Sequence, residues 1–252
     1  MKRQFVNTSN TGRFLTGLKA VQNRGAEEAC LMVVDGQPGL GKTTNIQWWA
    51  TQTNSVFLRA KKQWTAAWFL HELIETLGDK PPFKFQDKFK LALDLLVRRN
   101  MEAEDAGGVF GVVIDEVDHI SRRADLLETM RDLSDYVEAP FILVGMGNVR
   151  RNLTRFPQMS SRVARYVEFQ PATLEDVQTM VKTLCEVAVK PDLIEVLHKL
   201  SGGKFREIKE GIKAIETFGK VNTGREIGVA EMAGKILLND RKSGKPLTVR
   251  AA

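Results

Sequence analysis

The 252-residue sequence predicts an α/β fold: a five-stranded parallel sheet with covering helices, followed by a small all-helical domain. Three observations predict it. Short apolar runs bounded by turn residues alternate with amphipathic segments up to Pro171. A glycine-rich loop, Gly36-Gln37-Pro38-Gly39-Leu40-Gly41-Lys42-Thr43, joins the first apolar run to a helical pattern. Beyond Pro171 only helical patterns follow.

Residues 1–10 read as extended and polar, and Asn10 or Thr11 is placed to cap a helix over 11–24 with Phe14, Leu15, Leu18 and Val21 on one face. CLMVVDG, 30–36, is continuously apolar, as a strand buried on both faces is. A helix follows from Lys42 to Gln52, then a second strand at 55–60, SVFLRA. QWTAAWFLHELIETLG reads as a helix ended by Gly78, and 86–100 as an amphipathic helix through Phe89, Leu93 and Leu96. VFGVVIDE is the third strand, RADLLETMRDLSDYV a helix, APFILVGMGN the fourth strand and RYVEFQP a short fifth. Four helical segments complete the pattern, TLEDVQTMVKTLCEVA, PDLIEVLHKLS, KFREIKEGIKAIETFG and REIGVAEMAGKILLND, with Gly202-Gly203 and Gly219 as turns. The expected organisation is a nucleotide-binding α/β domain over 1–172, a helical domain over 173–240 and a basic, mobile tail over 241–252.

A formal net charge of +6 favours polyanionic partners, though it also serves solubility. Cys30 and Cys185 are too few for a disulfide framework or a zinc quartet, and they suit a reducing compartment. The first 14 residues lack the apolar stretch of a secretory signal, and no apolar run approaches spanning length, so no membrane partner is expected. His71, His119 and His198 are scattered, with no ligand spacing.

The glycine-rich loop fits G-x-x-x-x-G-K-[ST], with a strand before it and a helix after it. In that pattern Gly36, Pro38, Gly39, Leu40 and Gly41 aim backbone N–H groups at phosphate oxygens, with Thr44 following at the helix start. Lys42 reaches the β- and γ-phosphates of ATP, and Thr43 ligates Mg²⁺. VVIDE, 112–116, delivers Asp115 to the end of a strand as the second magnesium partner and Glu116 as the group that polarises the attacking water. Acidic residues after a strand also cap helices, and Asp118 reads as such a cap or as a structural partner. Asn148, after the fourth strand, is placed to orient the lytic water, although Asn is commonplace in turns.

With these motifs in order, joined by SSRVAR at 160–165 and GGKFRE at 202–207, the sequence resembles the AAA+ ATPase family over most of its length. The resemblance implies an AAA+ P-loop core, a helical lid and hydrolysis of ATP. It implies that Arg162, with Arg155 and Arg165 as alternatives, reaches a neighbouring subunit's ATP, and that Arg206 contacts phosphates from the lid. FVNTSNTGRFLTGLKAVQNRG leading into the glycine loop is similar to transposition ATPases related to the B protein of phage Mu, and more distantly to TnsC and IstB. That branch implies self-association into a filament or ring on double-stranded DNA, a cognate transposase as partner, and a cytoplasmic, phage- or element-encoded protein in a bacterial host. The sequence departs from the Mu protein in having about 30 residues before the first strand, too few for a separate helical DNA-binding domain.

Channel-facing loops of such an assembly should be basic, which singles out Lys61 and Lys62 with Arg59 after the second strand, and Arg122 and Arg123 after the third. Arg150 and Arg151 are further candidates or interface residues. Trp48, Trp49, Trp64 and Trp68 read first as packing, with Trp64 the best candidate among them for a DNA contact because it follows the lysines. Two other readings share the ATPase: a replication initiator or helicase loader, and a nucleotide-gated adaptor that binds only protein.

Overall fold

The computed structural model describes residues 1–222 and 226–250. The chain forms two compact units, one of Arg13–Gln37 and Lys42–Phe169, the other of Met1–Gly12, Pro38–Gly41 and the chain from Gln170 onward.

The first unit is built on five parallel strands, β1 (Leu31–Asp35), β2 (Val56–Arg59), β3 (Val112–Asp115), β4 (Phe141–Val144) and β5 (Val163–Glu168), in the order β2-β3-β4-β1-β5. The central strands are buried on both faces, which their unbroken Val, Ile and Leu runs dictate. Register is parallel throughout, with Val112 and Leu31 both opposite Phe141. Helix α1 (Ser9–Gln22) buries Phe14, Leu18 and Val21. It begins at Ser9, so Thr8 holds the N-cap position in place of Asn10 or Thr11, and the Thr8 amide donates to the Thr11 hydroxyl at 3.2 Å. Helix α2 (Lys42–Gln52) sets Trp49 edge-on against Phe14, with ring centroids 5.6 Å apart. Helices α3 (Ala66–Thr76) and α4 (Phe85–Asp105), which connect β2 to β3 along the chain, pack on each other. Thr65 caps α3 by accepting the Trp68 amide. Helix α5 (Ala124–Val137) precedes β4, and two short helices, α6 (Val149–Leu153) and α7 (Pro157–Ser160), lead into β5. Phe69, Leu73, Leu96, Ile114, Leu127 and Phe141 are fully buried in one core. Each such side chain contributes about 1.5–3 kcal/mol of transfer free energy.

The second unit packs α8 (Leu174–Leu184), α9 (Pro191–Ser201) and α10 (Phe205–Val221) around Val177, Leu193, Ile208 and Ile212. Gly219 lies within α10 rather than at a turn, and its lack of a side chain serves packing, since a Cβ there would meet Val187 at 2.9 Å. The expected fourth helix is replaced. After a single turn, α11 (Val229–Met232), the chain turns at Gly234 and forms a hairpin of β6 (Ile236–Asn239) and β7 (Pro246–Thr248). Residues 241–250 therefore include a paired strand and do not form an unstructured tail, while Arg225 and the last two residues lie outside the described residues. Two features overrode the helical pattern. Gly234 and Gly244 take φ of +75° and +69°, and the Asp240 carboxylate accepts the Lys242 and Ser243 amides to close the turn.

The N-terminal segment is fixed to this unit by Asp176, which accepts the Ser9 amide at 2.8 Å and the Ser9 hydroxyl at 2.6 Å, and which forms a capping box with Thr173. Burial pushes the Asp176 carboxyl up, but the hydrogen bonds from Ser9 and Thr173 outweigh it and hold the group below the ordinary range. A depressed carboxylate contributes stability above its unfolded value, about 3.9, and loses it as pH falls through the folded value. Asp176→Ala should therefore cost about 2 kcal/mol at neutral pH. In urea melts the gap from wild type should close below about pH 4.

Candidate nucleotide site

The loop after β1 can follow its path only with glycine. Gly36, Gly39 and Gly41 take φ of +144°, +87° and +83°. A Cβ on Gly36 would lie 2.8 Å from the Phe169 carbonyl oxygen. Lys42, the first residue of α2, is buried, and its ammonium donates to the carbonyls of Gly36 at 2.5 Å and Gln37 at 2.9 Å. Burial pushes this lysine below its ordinary range, against the pull of Asp35, Asp115 and Asp118.

One helical position on, the Thr43 hydroxyl donates to Asp115 Oδ2 at 2.8 Å. Asp115 is 3% exposed at the end of β3, and its other oxygen accepts the Glu116 amide at 2.9 Å. Two hard oxygen donors thus converge near a buried ammonium, a set that fits a magnesium–phosphate pair. Glu116 takes the left-handed conformation, φ +58°, a cost of roughly 1–2 kcal/mol that cores do not retain without constraint. Its partly exposed carboxylate lies 3.6 Å from Arg59 Nε and 3.5 Å from His119 Nε2.

The strand order places β4 between β1 and β3, so the loop after β4 sits between the two motifs. Carboxylates pin it from both sides. Asp35 accepts the amides of Gly36, at 2.7 Å, and of Gly147. Asp118 accepts the Met146 amide at 2.6 Å, over a Gly145 whose Cβ would fall 2.7 Å from that carboxylate oxygen. Asn148 follows, exposed, with its Oδ1 accepting from Arg151 at 3.0 Å. Asp118 thus acts on the backbone as a structural partner. Asp35 and the buried pair Asn152–Ser121, joined at 2.8 Å, were missed, since nothing local distinguishes them from turn and helix residues.

Leu40 is buried and Thr44 exposed. In the second unit, Asn10 donates to the carbonyls of Leu40 at 3.4 Å and Gln170 at 2.8 Å, so the residue read as a helix cap clamps the phosphate loop instead. In the same unit the Arg206 amide donates to the Gly39 carbonyl at 3.4 Å, with the Arg206 side chain exposed.

The remaining candidates are dispersed. Arg162 is held within its own chain by Asp135, at 3.0 and 3.2 Å, while Arg155 and Arg165 are exposed. Lys61 pairs with Glu72 and lies 5.2 Å from the centroid of Trp68. Arg123 pairs with Asp125 at 3.0 Å, and Lys62 and Arg122 are exposed. Trp64 is fully buried against Phe69 and cannot reach DNA, which corrects the expectation for it; Trp68 is the exposed ring of the pair. No helix among the described residues is long and apolar enough to cross a membrane.

The family model for the AAA domain matches residues 25–153. No curated protein matches the chain in sequence. Among solved structures the chain is similar to the Aeropyrum pernix ORC1 protein in complex with DNA, at 16% identity over 87% of this chain and 61% of that one, with a TM-score of 0.54. It is similar to Aeropyrum pernix ORC2 in its ADPNP–ADP complexes, at 16% identity, 86% and 66% coverage and a TM-score of 0.58. Cdc6p from Pyrobaculum aerophilum matches at 16% identity, 92% and 68% coverage and a TM-score of 0.61. The chain therefore spans between 61% and 68% of the length of these proteins, and the likeness is one of fold.

Asp35→Ala should release the loops after β1 and β4 together. Two amides lose a charged acceptor, so stability should fall by about 1–3 kcal/mol. Affinity for a fluorescent ATP analogue should fall with it, and fluorescence titration beside a thermal melt checks both.

Proposed function

Since the chain belongs to the AAA domain family, we propose that it is an AAA+ ATPase that binds duplex DNA in an ATP-dependent, sequence-nonspecific way and self-associates on it. The observation that carries the nucleotide part of the reading is the Thr43–Asp115 contact of 2.8 Å beside the buried Lys42, and the DNA part is supported by the net charge of +6 and the basic loops after β2 and β3. Thr43 and Asp115 would hold Mg²⁺, which supplies charge neutralisation on the β- and γ-phosphates of ATP. Lys42 would exchange two backbone carbonyls for phosphate oxygens, regaining the solvation that burial denies it. Glu116 would take the proton of the attacking water, and Asn148 would orient that water. Arg206 would reach phosphate from a backbone already bonded to Gly39. Arg162, once released from Asp135, would neutralise charge at a neighbouring subunit's site.

Lys62 and Arg122 are exposed in the loops after β2 and β3, as is Lys61, with Lys61 and Arg123 available once their carboxylate partners yield. Arg59 ends β2, directly before the loop of Lys61 and Lys62, and pairs with the Glu116 carboxylate, so the proposed DNA loop and the water-activating group are one ion pair apart. DNA that draws Arg59 away would free Glu116.

Two finer readings follow. The resemblance of residues 5–50 to Mu B-type proteins favours target-DNA selection for a cognate transposase. The likeness of fold to ORC1, solved in complex with DNA, and to Cdc6p favours a replication-initiator or loader role. A pull-down against a transposase and a replicative helicase separates them.

Glu116→Gln and Lys42→Ala should each abolish ATP turnover, and only Lys42→Ala should also lose ATP binding. Arg59→Ala should raise the DNA-free rate and reduce stimulation by duplex DNA. A coupled phosphate-release assay reads all three, and an Arg59→Ala rate equal to wild type would remove the coupling.

A further inference from the structure

The segment that leads from α3 into the first turn of α4, Asp79-Lys80-Pro81-Pro82-Phe83-Lys84-Phe85-Gln86-Asp87-Lys88, has no role in the site above. Phe83 is 98% exposed and Phe85 45% exposed, so two phenyl rings two residues apart are presented to solvent. Burying a Phe ring ordinarily stabilises a fold by about 1.5–3 kcal/mol, a gain forgone almost wholly at Phe83 and in part at Phe85. Isolated exposed apolar residues are ordinary, but a fully exposed ring and a half-exposed one two residues apart, set among lysines, form a patch that suits a contact. Three lysines, at 80, 84 and 88, bracket the rings, against Asp79 and Asp87. Asp87 sits in the first turn of α4, where the helix dipole already compensates it. Lys84 occupies the N-cap of α4 and makes no side-chain cap hydrogen bond, so helix stability does not explain it. Pro81 and Pro82 are half-buried and fix the backbone that leads to Phe83, which lowers the entropy lost on docking.

Resting on the DNA-binding reading above, we infer that this loop is a second duplex-DNA contact, in which Phe83 wedges against a base-pair step while Lys80, Lys84 and Lys88 meet the flanking phosphates. Apolar rings flanked by cations suit unstacked base steps, which offer a flat apolar face between anionic strands. A purely anionic surface would be met by the lysines alone and would leave the rings unexplained. The loop thus adds contact with the bases to the backbone contacts expected of Lys61, Lys62, Arg122 and Arg123.

The test is fluorescence anisotropy of the full chain with a labelled 30-base-pair duplex and ATP over a salt series. A second duplex carries 2-aminopurine, whose emission rises when its step unstacks. Phe83→Ala/Phe85→Ala should weaken binding roughly tenfold or more and abolish the 2-aminopurine signal, with the salt dependence unchanged. Lys84→Ala/Lys88→Ala should lower the slope of log K against log salt by about 1–2. DNA-free ATP turnover should stay at the wild-type rate in both, which shows that they fold. Wild-type DNA affinity in the phenylalanine variant overturns the wedge and leaves the DNA reading standing. No DNA binding by the wild-type protein overturns both. Binding to vesicles of anionic lipid that is lost in the phenylalanine variant, with DNA affinity kept, assigns the loop to a membrane surface and overturns the wedge.

Discussion

The hydrogen bond from Thr43 to Asp115 is the constraint on which the rest of the site depends. Its partners sit at the start of α2, which follows β1, and at the end of β3, and β4 lies between those two strands in the sheet. The bond forms only if three strand ends are level and the loop between two of them is drawn in close. The buried Val, Ile and Leu runs set the strands. The glycines at 36 and 145 permit the approach, because a side chain at either would collide with Phe169, or with Val149 and Asp118. Asp35 and Asp118 then fix the intervening loop through its amides. The site is thus held mainly by backbone hydrogen bonds to carboxylates, which leaves Lys42, Thr43, Glu116 and Asn148 able to change partners.

The charges are arranged with the same economy. Lys42 is buried near Asp35, Asp115 and Asp118, yet its affinity for a proton is still lowered because burial outweighs them. A lysine so placed gains by meeting an anion, and the carboxylates gain by meeting a cation. A nucleotide that arrives with Mg²⁺ satisfies both. The cations proposed to act elsewhere are stored in ion pairs: Arg59 with Glu116, Lys61 with Glu72, and Arg162 with Asp135. Exposed pairs of this kind are weak, typically within about 1 kcal/mol, so a polyphosphate can displace them.

Much of this is legible in the sequence, and what is not has physical causes. The three central strands and the phosphate loop were readable because burial on both faces and the G-x-x-x-x-G-K-T pattern are local signals, and the partly exposed β2 and β5 were readable as short β-prone runs between helical patterns. The hairpin of β6 and β7 was not. The adjacent leucines 237 and 238 continue a helical pattern, and only the positive φ of Gly234 and Gly244 breaks it. Asn10 has the chemistry of a helix cap, and its use as a clamp on Leu40 and Gln170 depends on partners far away in the chain. Of the tryptophans near the lysines, Trp64, in the turn before α3, is inside and Trp68, in the first turn of α3, is outside, a choice made by tertiary packing that the spacing of the two does not reveal. The pairing of Arg162 with Asp135 joins residues 27 apart and no sequence pattern announces it.

The central claim is that nucleotide state controls affinity for DNA. The most direct measurement is binding of wild-type protein to a random-sequence duplex with ATP, with ADP and with no nucleotide, over a salt series. The account predicts tight, salt-sensitive binding with ATP alone. Equal affinity in all three states, or binding indifferent to salt, would contradict it and leave a nucleotide-gated protein adaptor as the better account.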